Sequence, residues 1–192
     1  SAPENDALSI AFVARMVPIK NFEFLIGAAR YLTVPGRIVV AGVLEDQDYW
    51  NRCRKLIDEL PAHVSVEILG HIDSAAVTDL LCRSDAMVLP TMGENFGHAI
   101  AEAMSVGCPV LVPDTTPWTA VVAEGCGWVI DLHDPSTLSR ALQELAARPQ
   151  SARHAARRQV ASRYAQWWSD SQVHQRSLFA AAFEPQPAGS TT

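Results

Sequence analysis

Two glutamates, Glu94 and Glu102, stand eight positions apart in the stretch GENFGHAIAEAMSVGCPV. Glu94 lies in a loop whose glycines let the backbone approach a ligand closely, and Glu102 lies in an alanine-rich run with helical spacing. If Asn95 caps this helix, Glu102 points away from the sheet-facing stripe. The helix axis from Asn95 to Glu102 would span about 10 Å. Either Glu102 marks one end of a ligand site, or it forms an exposed pair with His98 at i, i+4.

Two cations occur in the loop ARMVPIKN, which follows the first predicted strand. Arg15 and Lys20 flank a proline-containing turn, and Lys20 directly precedes a helix that Asn21 is predicted to cap. A cation beside the positive end of a helix dipole is unfavourable, and a bound anion would reverse the sign of that interaction. Together with backbone N–H groups, the two side chains predict a phosphate or diphosphate site. The alternative is that both are solvated surface charges.

Two aspartates, Asp46 and Asp48 in EDQDYW, have the spacing of a metal-binding D-x-D motif. Acidic residues in the first turn of a helix stabilise its dipole, so we interpret these two as helix-start residues and predict no metal site. The sequence has no G-x-G-x-x-G and no G-K-[ST] loop, which argues against a dinucleotide dehydrogenase or a P-loop NTPase.

The elements that must position these side chains follow an alternating pattern. Short apolar runs alternate with stretches of helical period, as in repeated β-α units, and Val and Ile on successive strand positions indicate helices on both faces. The predicted strands are Leu8–Ala14, Arg37–Ala41, Val64–Leu69, Ala86–Leu89, Pro109–Val112 and Trp128–Ile130, and the predicted helices cover 22–32, 47–60, 74–83, 96–106, 117–123 and 136–147. We therefore expect an α/β fold with a Rossmann-like open parallel sheet of about six strands, in which ligands bind at the carboxyl ends of the strands.

The composition fits one domain with a sizeable core, since 48% of the 192 residues are hydrophobic. The net charge of −6 argues against nucleic acid as a partner. The four cysteines match neither zinc-ligand spacing nor a compact disulfide framework, which indicates reduced, mostly buried thiols in a cytoplasmic protein. No apolar run approaches the roughly 20 residues that span a bilayer.

The order of these motifs resembles the nucleotide-sugar-binding C-terminal half of GT-B glycosyltransferases, specifically the large retaining family 4. The resemblance runs from about position 8 to 147 and more weakly to about 183. Its most specific element is the E-x7-E of Glu94 and Glu102 within GENFGHAIAEAMSVGCPVLVPDTTPW. VARMVPIKN after the first strand, VVAG after the second and ILGHIDSAAVTDLL after the third support it.

The resemblance implies a role for each matching position. Arg15 and Lys20 would neutralise the donor diphosphate, and Glu94 would contact the hydroxyls of the donor sugar. Glu102 would accept hydrogen bonds from the ribose hydroxyls. The remaining implied contacts are backbone N–H groups at Asn95, Phe96 and Gly97, and a base-lining turn at Gly70, His71 and Ile72.

The resemblance also implies the wider function. The donor would be a UDP- or GDP-sugar, the anomeric configuration would be retained, and no metal or other cofactor would be required. The expected role is bacterial surface polysaccharide synthesis, in lipopolysaccharide or capsule, with a glycan or lipid-linked acceptor.

The expected domain organisation is a Rossmann-like donor-binding domain at 1–150, C-terminal helices at 151–184 and a disordered tail at 185–192. The helices would pack on the family's N-terminal acceptor domain. That domain has no counterpart in this chain, so we expect a donor-binding half that is inactive alone.

Two other hypotheses remain open. One is half of a nucleotide-sugar 2-epimerase, which shares the architecture. The other is a module that binds a membrane surface, because four arginines precede a tryptophan pair with no acidic residue between them. These residues are Arg153, Arg157, Arg158, Arg163, Trp167 and Trp168. The expected location is cytoplasmic, with any membrane contact at the periphery of the inner membrane.

Overall fold

A six-stranded sheet forms the centre of the molecule. The computed structural model describes residues 7–183, with side chains described for residues 7–172. The strands are β1 Leu8–Val13, β2 Gly36–Ala41, β3 Val64–Gly70, β4 Ala86–Val88, β5 Val110–Pro113 and β6 Gly127–Ile130. They lie in the order β3-β2-β1-β4-β5-β6, and all neighbouring strands are parallel. The predicted Rossmann-like sheet is confirmed.

The helices connect successive strands and cover both faces of the sheet. They are α1 Phe22–Ala29, α2 Gln47–Ile57, α3 Ser74–Arg83, α4 His98–Ser105, α5 Thr119–Val121, α6 Ser136–Ala147 and α7 Gln150–Phe183. A 3-10 turn, Pro18–Lys20, precedes α1, and a π-helical turn, Val122–Cys126, follows α5. Helix α1 contacts α2 and α6, whereas α4 contacts α3 and α7, so the helices form two separate layers.

The core lies on both sides of the central strands. Ile10, Ala11 and Phe12 are successive residues of β1, and all three are fully buried. Because successive strand residues point to opposite faces, β1 must be covered on both sides. The edge strand β3 is less covered, and its Leu69 remains exposed.

The structure confirms one of the three helix-start predictions and differs from the other two. The Asp46 carboxylate accepts a hydrogen bond from the Tyr49 N–H at 2.8 Å, which confirms the helix-start interpretation of the D-x-D pattern. Asn21 occupies the N-cap position of α1, but its side chain makes no capping hydrogen bond. The predicted Asn95 cap is wrong, because α4 begins at His98 with Gly97 as N-cap.

The beginning of α7 packs on the amino-terminal side of the sheet. Arg153 is only 4% exposed and forms an ion pair with Asp85 at 2.9 Å, and Asp85 also accepts the Ser9 N–H. Arg157 donates hydrogen bonds to three backbone carbonyls, those of Leu81, Ser84 and Val106. Gly107 allows this close approach, because a Cβ at that position would collide with the Arg157 carbonyl.

These contacts bear on two of the sequence-based expectations. Three of the four arginines in the membrane hypothesis bind the domain itself, since Arg163 also donates to the Glu124 carbonyl at 3.1 Å. Only Arg158 of that group has no hydrogen bond or ion pair among the described residues. The segment predicted as C-terminal helices is one helix up to Phe183, and its first half contacts this domain. The tail predicted at 185–192 lies outside the described residues.

Candidate functional site

A cavity of about 230 Å³ lies where the first three strands end. Its lining comes from the ends of β1 and β2, from the turn after β3 and from the start of α3. The lining residues are Val13, Ala14, Arg15, Ala41, Gly42, Val43, His71, Ile72 and Val77. The structure therefore brings Arg15 together with His71 and Ile72, which are widely separated in sequence.

Backbone hydrogen bonds fix the three loops around this cavity. The Ala14 N–H donates to the Ala41 carbonyl at 3.0 Å, and the Gly42 N–H donates to the Gly70 carbonyl at 2.8 Å. Gly42 has a φ of +151°, and any Cβ there would collide with the Ala14 carbonyl. A side chain at position 42 would therefore separate the loops after β1 and β2.

Lys20 and Glu94 form an ion pair between the 3-10 turn after β1 and the loop after β4. Lys20 Nζ lies 2.6 Å from Glu94 Oε2, and the two side chains are 15% and 16% exposed. The loops that carry them are also joined through the backbone, since the Met92 N–H donates to the Ile19 carbonyl at 2.8 Å. The 3-10 turn after β1 and the loop after β4 thus present opposite charges to each other.

Arg15 is held differently from Lys20. Its guanidinium donates to both carboxylate oxygens of Glu45, at 2.9 and 2.8 Å, and the two side chains are 62% and 47% exposed. Each predicted phosphate-binding cation therefore has a carboxylate partner within the described chain. The two cations do not share one partner.

The start of α4 depends on a glycine and on a tryptophan that sequence reasoning did not identify. Gly97 has a φ of +80°, and a Cβ there would crowd Glu94, Ile100 and Trp118. The indole N–H of Trp118 donates to the Phe96 carbonyl. The motif VPDTTPW contains Trp118, but nothing in its spacing indicates this contact.

Three backbone N–H groups in the loop before α4 make no hydrogen bond within the described chain. The N–H groups of Asn95, Phe96 and Gly97 donate no hydrogen bond to another described residue. The side chains of Asn95 and Phe96 are exposed. Unpaired N–H groups beside the positive end of a helix dipole favour an anion, so the loop that leads into α4 can contribute to binding a phosphate.

Glu102 lies on the side of α4 that faces α3. Its carboxylate accepts a hydrogen bond from Thr78 Oγ1 at 2.8 Å, and the residue is half-buried. His98 makes no hydrogen bond or ion pair with Glu102, and its ring lies 4.5 Å from the Phe96 ring, centroid to centroid. The alternative of an exposed pair between His98 and Glu102 is therefore wrong.

Metal-binding clusters and membrane-spanning helices are both absent from the part of the chain that the structure describes. Within it, no three His, Cys, Asp or Glu side chains are grouped so that they could hold a metal ion. No helix within that part has the length and apolar character needed to cross a membrane. All four cysteines are free, and Cys53, Cys108 and Cys126 are buried.

Known proteins share this sequence pattern and this fold. The O-antigen chain mannosyltransferase B of Escherichia coli is 28% identical over 134 residues, which are 67% of this chain and 34% of that protein. The sucrose-phosphate synthase of Thermosynechococcus elongatus has a TM-score of 0.74 at 25% identity, over 92% of this chain and 46% of that one. HepE of Anabaena, in complex with UDP and glucose, has a TM-score of 0.65 at 19% identity, over 86% of this chain and 49% of that one.

The length of the match shows which part of the related proteins this chain corresponds to. It spans about a third of the length of the curated relatives that it matches. The model of the family described as glycosyl transferases group 1 matches residues 1–163. The likeness thus covers the whole sheet and the first part of α7. The chain belongs to the family of glycosyl transferases group 1.

Proposed function

We propose that this chain is the donor-binding half of a retaining glycosyltransferase of family 4, one that builds a bacterial surface polysaccharide such as lipopolysaccharide or capsule. Its substrate is a UDP- or GDP-sugar. The observation that carries the proposal is the convergence of the loops after β1 to β4 at one edge of the sheet. These loops carry two cations, one carboxylate and unused backbone N–H groups, and the helix that follows the fourth loop carries Glu102.

The nucleotide sugar lies along this edge. The base occupies the cavity beside Gly70, His71 and Ile72, and the ribose hydroxyls donate to Glu102. The diphosphate binds Lys20, Arg15 and the N–H groups at the start of α4. The donor sugar then reaches Glu94, whose carboxylate accepts hydrogen bonds from the sugar hydroxyls and so orients the anomeric carbon.

The residues of this chain contribute to transfer by stabilising the leaving group. Negative charge grows on the nucleoside diphosphate as the anomeric bond breaks. Lys20 Nζ lies 2.6 Å from Glu94 Oε2, so a diphosphate that binds Lys20 exchanges one anionic partner of Lys20 for another. The cations and the helix start supply the compensating positive charge without a metal ion. The carboxylate of Glu94 positions the sugar and is not assigned a covalent role.

The other half of the active site comes from an N-terminal acceptor domain, which provides the glycan or lipid-linked acceptor site. The chain alone therefore binds donor but does not transfer sugar. The protein works in the cytoplasm, peripheral to the inner membrane where lipid-linked acceptors are found. The family match supports glycosyl transfer over 2-epimerisation. The hydrogen bonds of Arg153, Arg157 and Arg163 within the domain give no support to a separate membrane-binding module.

Calorimetric titration of the chain with UDP, GDP and their sugars tests this proposal. Glu102→Ala should weaken nucleotide binding about tenfold or more, because it removes the acceptor for the ribose hydroxyls. Asp48→Ala is the matched control, since Asp48 is an exposed acidic residue of α2 and its loss should leave affinity unchanged. Absence of binding by the folded wild-type chain at millimolar nucleotide, or a larger effect of Asp48→Ala, would contradict the proposal.

A further inference from the structure

Thr78 makes the one hydrogen bond that the Glu102 carboxylate accepts from the described residues. Thr78 lies in α3 and Glu102 in α4, and the hydroxyl donates to Oε1 at 2.8 Å. Both residues are half-buried. Glu102 forms no ion pair with any described residue, unlike Glu94 and Glu45. The carboxylate is therefore held by a neutral hydroxyl.

This arrangement leaves the Glu102 carboxylate able to accept further hydrogen bonds. An ionised carboxylate has two oxygens and about four lone-pair sites, and Thr78 uses one of them. Two adjacent hydroxyl donors can still bind, and a ribose presents such a pair. An ion pair with lysine or arginine would compete with those donors, whereas a threonine hydroxyl fixes the side chain and keeps its charge available.

Thr78 lies on the helix that borders the proposed ligand cavity. The preceding residue, Val77, lines the cavity of about 230 Å³ at the ends of β1, β2 and β3. The first turns of α3 therefore border the place where the nucleoside is proposed to bind, and Thr78 lies between that border and α4. A glutamate has three rotatable side-chain bonds, and holding it in one conformation before binding lowers the entropic cost of capturing a ligand.

We infer that Thr78 is a positioning residue that orients Glu102 toward the ribose of the nucleotide. This inference rests on the proposed function. Thr78 raises affinity for ribonucleotides through Glu102, without contacting the ligand itself. A purely structural role, in the packing of α3 on α4, would change stability but would not depend on the ribose hydroxyls.

The test compares Thr78→Val, which keeps the shape and removes the hydroxyl, with Thr78→Ser, which keeps the hydroxyl. The matched control is Thr33→Val, because Thr33 is an exposed threonine in the loop between α1 and β2. Calorimetry of the 192-residue chain uses UDP, GDP and their 2′-deoxy counterparts. Thr78→Val should weaken ribonucleotide binding about three- to tenfold and change 2′-deoxynucleotide binding less. Thr78→Ser and Thr33→Val should stay close to wild type.

A second comparison separates positioning from other effects. In a Glu102→Ala background, Thr78→Val should cause no further loss of affinity, because the group that it orients is gone. Thr78→Ala serves as another variant without the hydroxyl if Thr78→Val lowers the yield of folded protein. An equal loss for ribo- and deoxynucleotides, no loss for either, or the same loss in the Glu102→Ala background would overturn the inference.

The outcome for the wild type distinguishes this inference from the proposed function. If the folded wild-type chain binds neither nucleotide, the proposed function is itself contradicted. If the wild type binds and Glu102→Ala weakens binding while Thr78→Val does not, only the role of Thr78 is overturned.

Discussion

The ion pair between Lys20 and Glu94 should stabilise the folded domain more than any exposed ion pair does. Its atoms are 2.6 Å apart and its side chains are 15% and 16% exposed. At that distance and an effective dielectric constant of about 20, the attraction is about 6 kcal/mol before desolvation is subtracted. Exposed pairs contribute about 0 to 1 kcal/mol, and loss of one partner of a buried pair costs about 3 to 5 kcal/mol. We therefore expect Lys20→Met to cost about 2 kcal/mol.

The assay is thermal unfolding without ligand. For a chain of this size, about 2 kcal/mol corresponds to a fall in Tm of roughly 4 to 8 °C. Arg15→Met is the control, since the pair of Arg15 with Glu45 is 62% and 47% exposed, and it should cost less than about 1 kcal/mol. Glu94→Gln should lose nearly as much as Lys20→Met, and the double variant should lose clearly less than the sum of the two.

Two results would refute this reasoning. One is additivity of Lys20→Met and Glu94→Gln, which would mean that the two charges do not interact in solution. The other is a cost of Lys20→Met no larger than that of Arg15→Met, which would mean that burial does not strengthen the pair.

Two further predictions concern other parts of the domain. At pH 8, 5,5′-dithiobis(2-nitrobenzoate) should react quickly with the exposed thiol of Cys82 and slowly with the thiol of Cys108. Burial raises the pKa of the Cys108 thiol to about 12, and only the thiolate is nucleophilic. A fast phase that survives Cys82→Ser would contradict this prediction. Gly107→Ala should lower the free energy of unfolding by more than about 2 kcal/mol in a urea titration, because Gly107 has a φ of +75° and its Cβ would collide with the Arg157 carbonyl. Gly27→Ala, a helical position with open space around the new Cβ, should be neutral or stabilising, and equal losses at the two glycines would rule out the collision.

Local patterns allowed most of the fold to be predicted. Every strand was predicted to within one residue at each end, because runs of β-branched residues between turn signals are a short-range feature. The helices 74–83 and 136–147 were predicted at their observed bounds. The other predicted helices, 22–32, 47–60, 96–106 and 117–123, extend beyond the observed ones. The error at Asn95 has a physical cause. Asparagine is a favoured N-cap, but the left-handed backbone and limited space directly before α4 favour glycine at position 97, and the helix starts after it.

The contacts between site residues could not be predicted from local sequence patterns. Lys20 and Glu94 are 74 positions apart, and Thr78 and Glu102 are 24 apart, so each contact depends on how separate β-α units pack. Lys20 and Glu94 were visible as charged residues in loops after strands, and Glu102 as the second glutamate of the E-x7-E pattern, whereas the sequence did not single out Thr78. Their roles toward a ligand remain predictions, which the experiments on Glu102 and Thr78 address.

The tryptophan at position 118 gives this domain its own optical signal. Trp118 is 3% exposed, donates to the Phe96 carbonyl in the loop that carries Glu94, and lies 4.9 Å from Trp167 of α7, ring centre to ring centre. Any movement of that loop on ligand binding changes the hydrogen bond of a buried indole. The intrinsic fluorescence of the unlabelled protein should therefore report occupancy of the site directly, and stopped-flow emission should give the rates at which nucleotide enters and leaves.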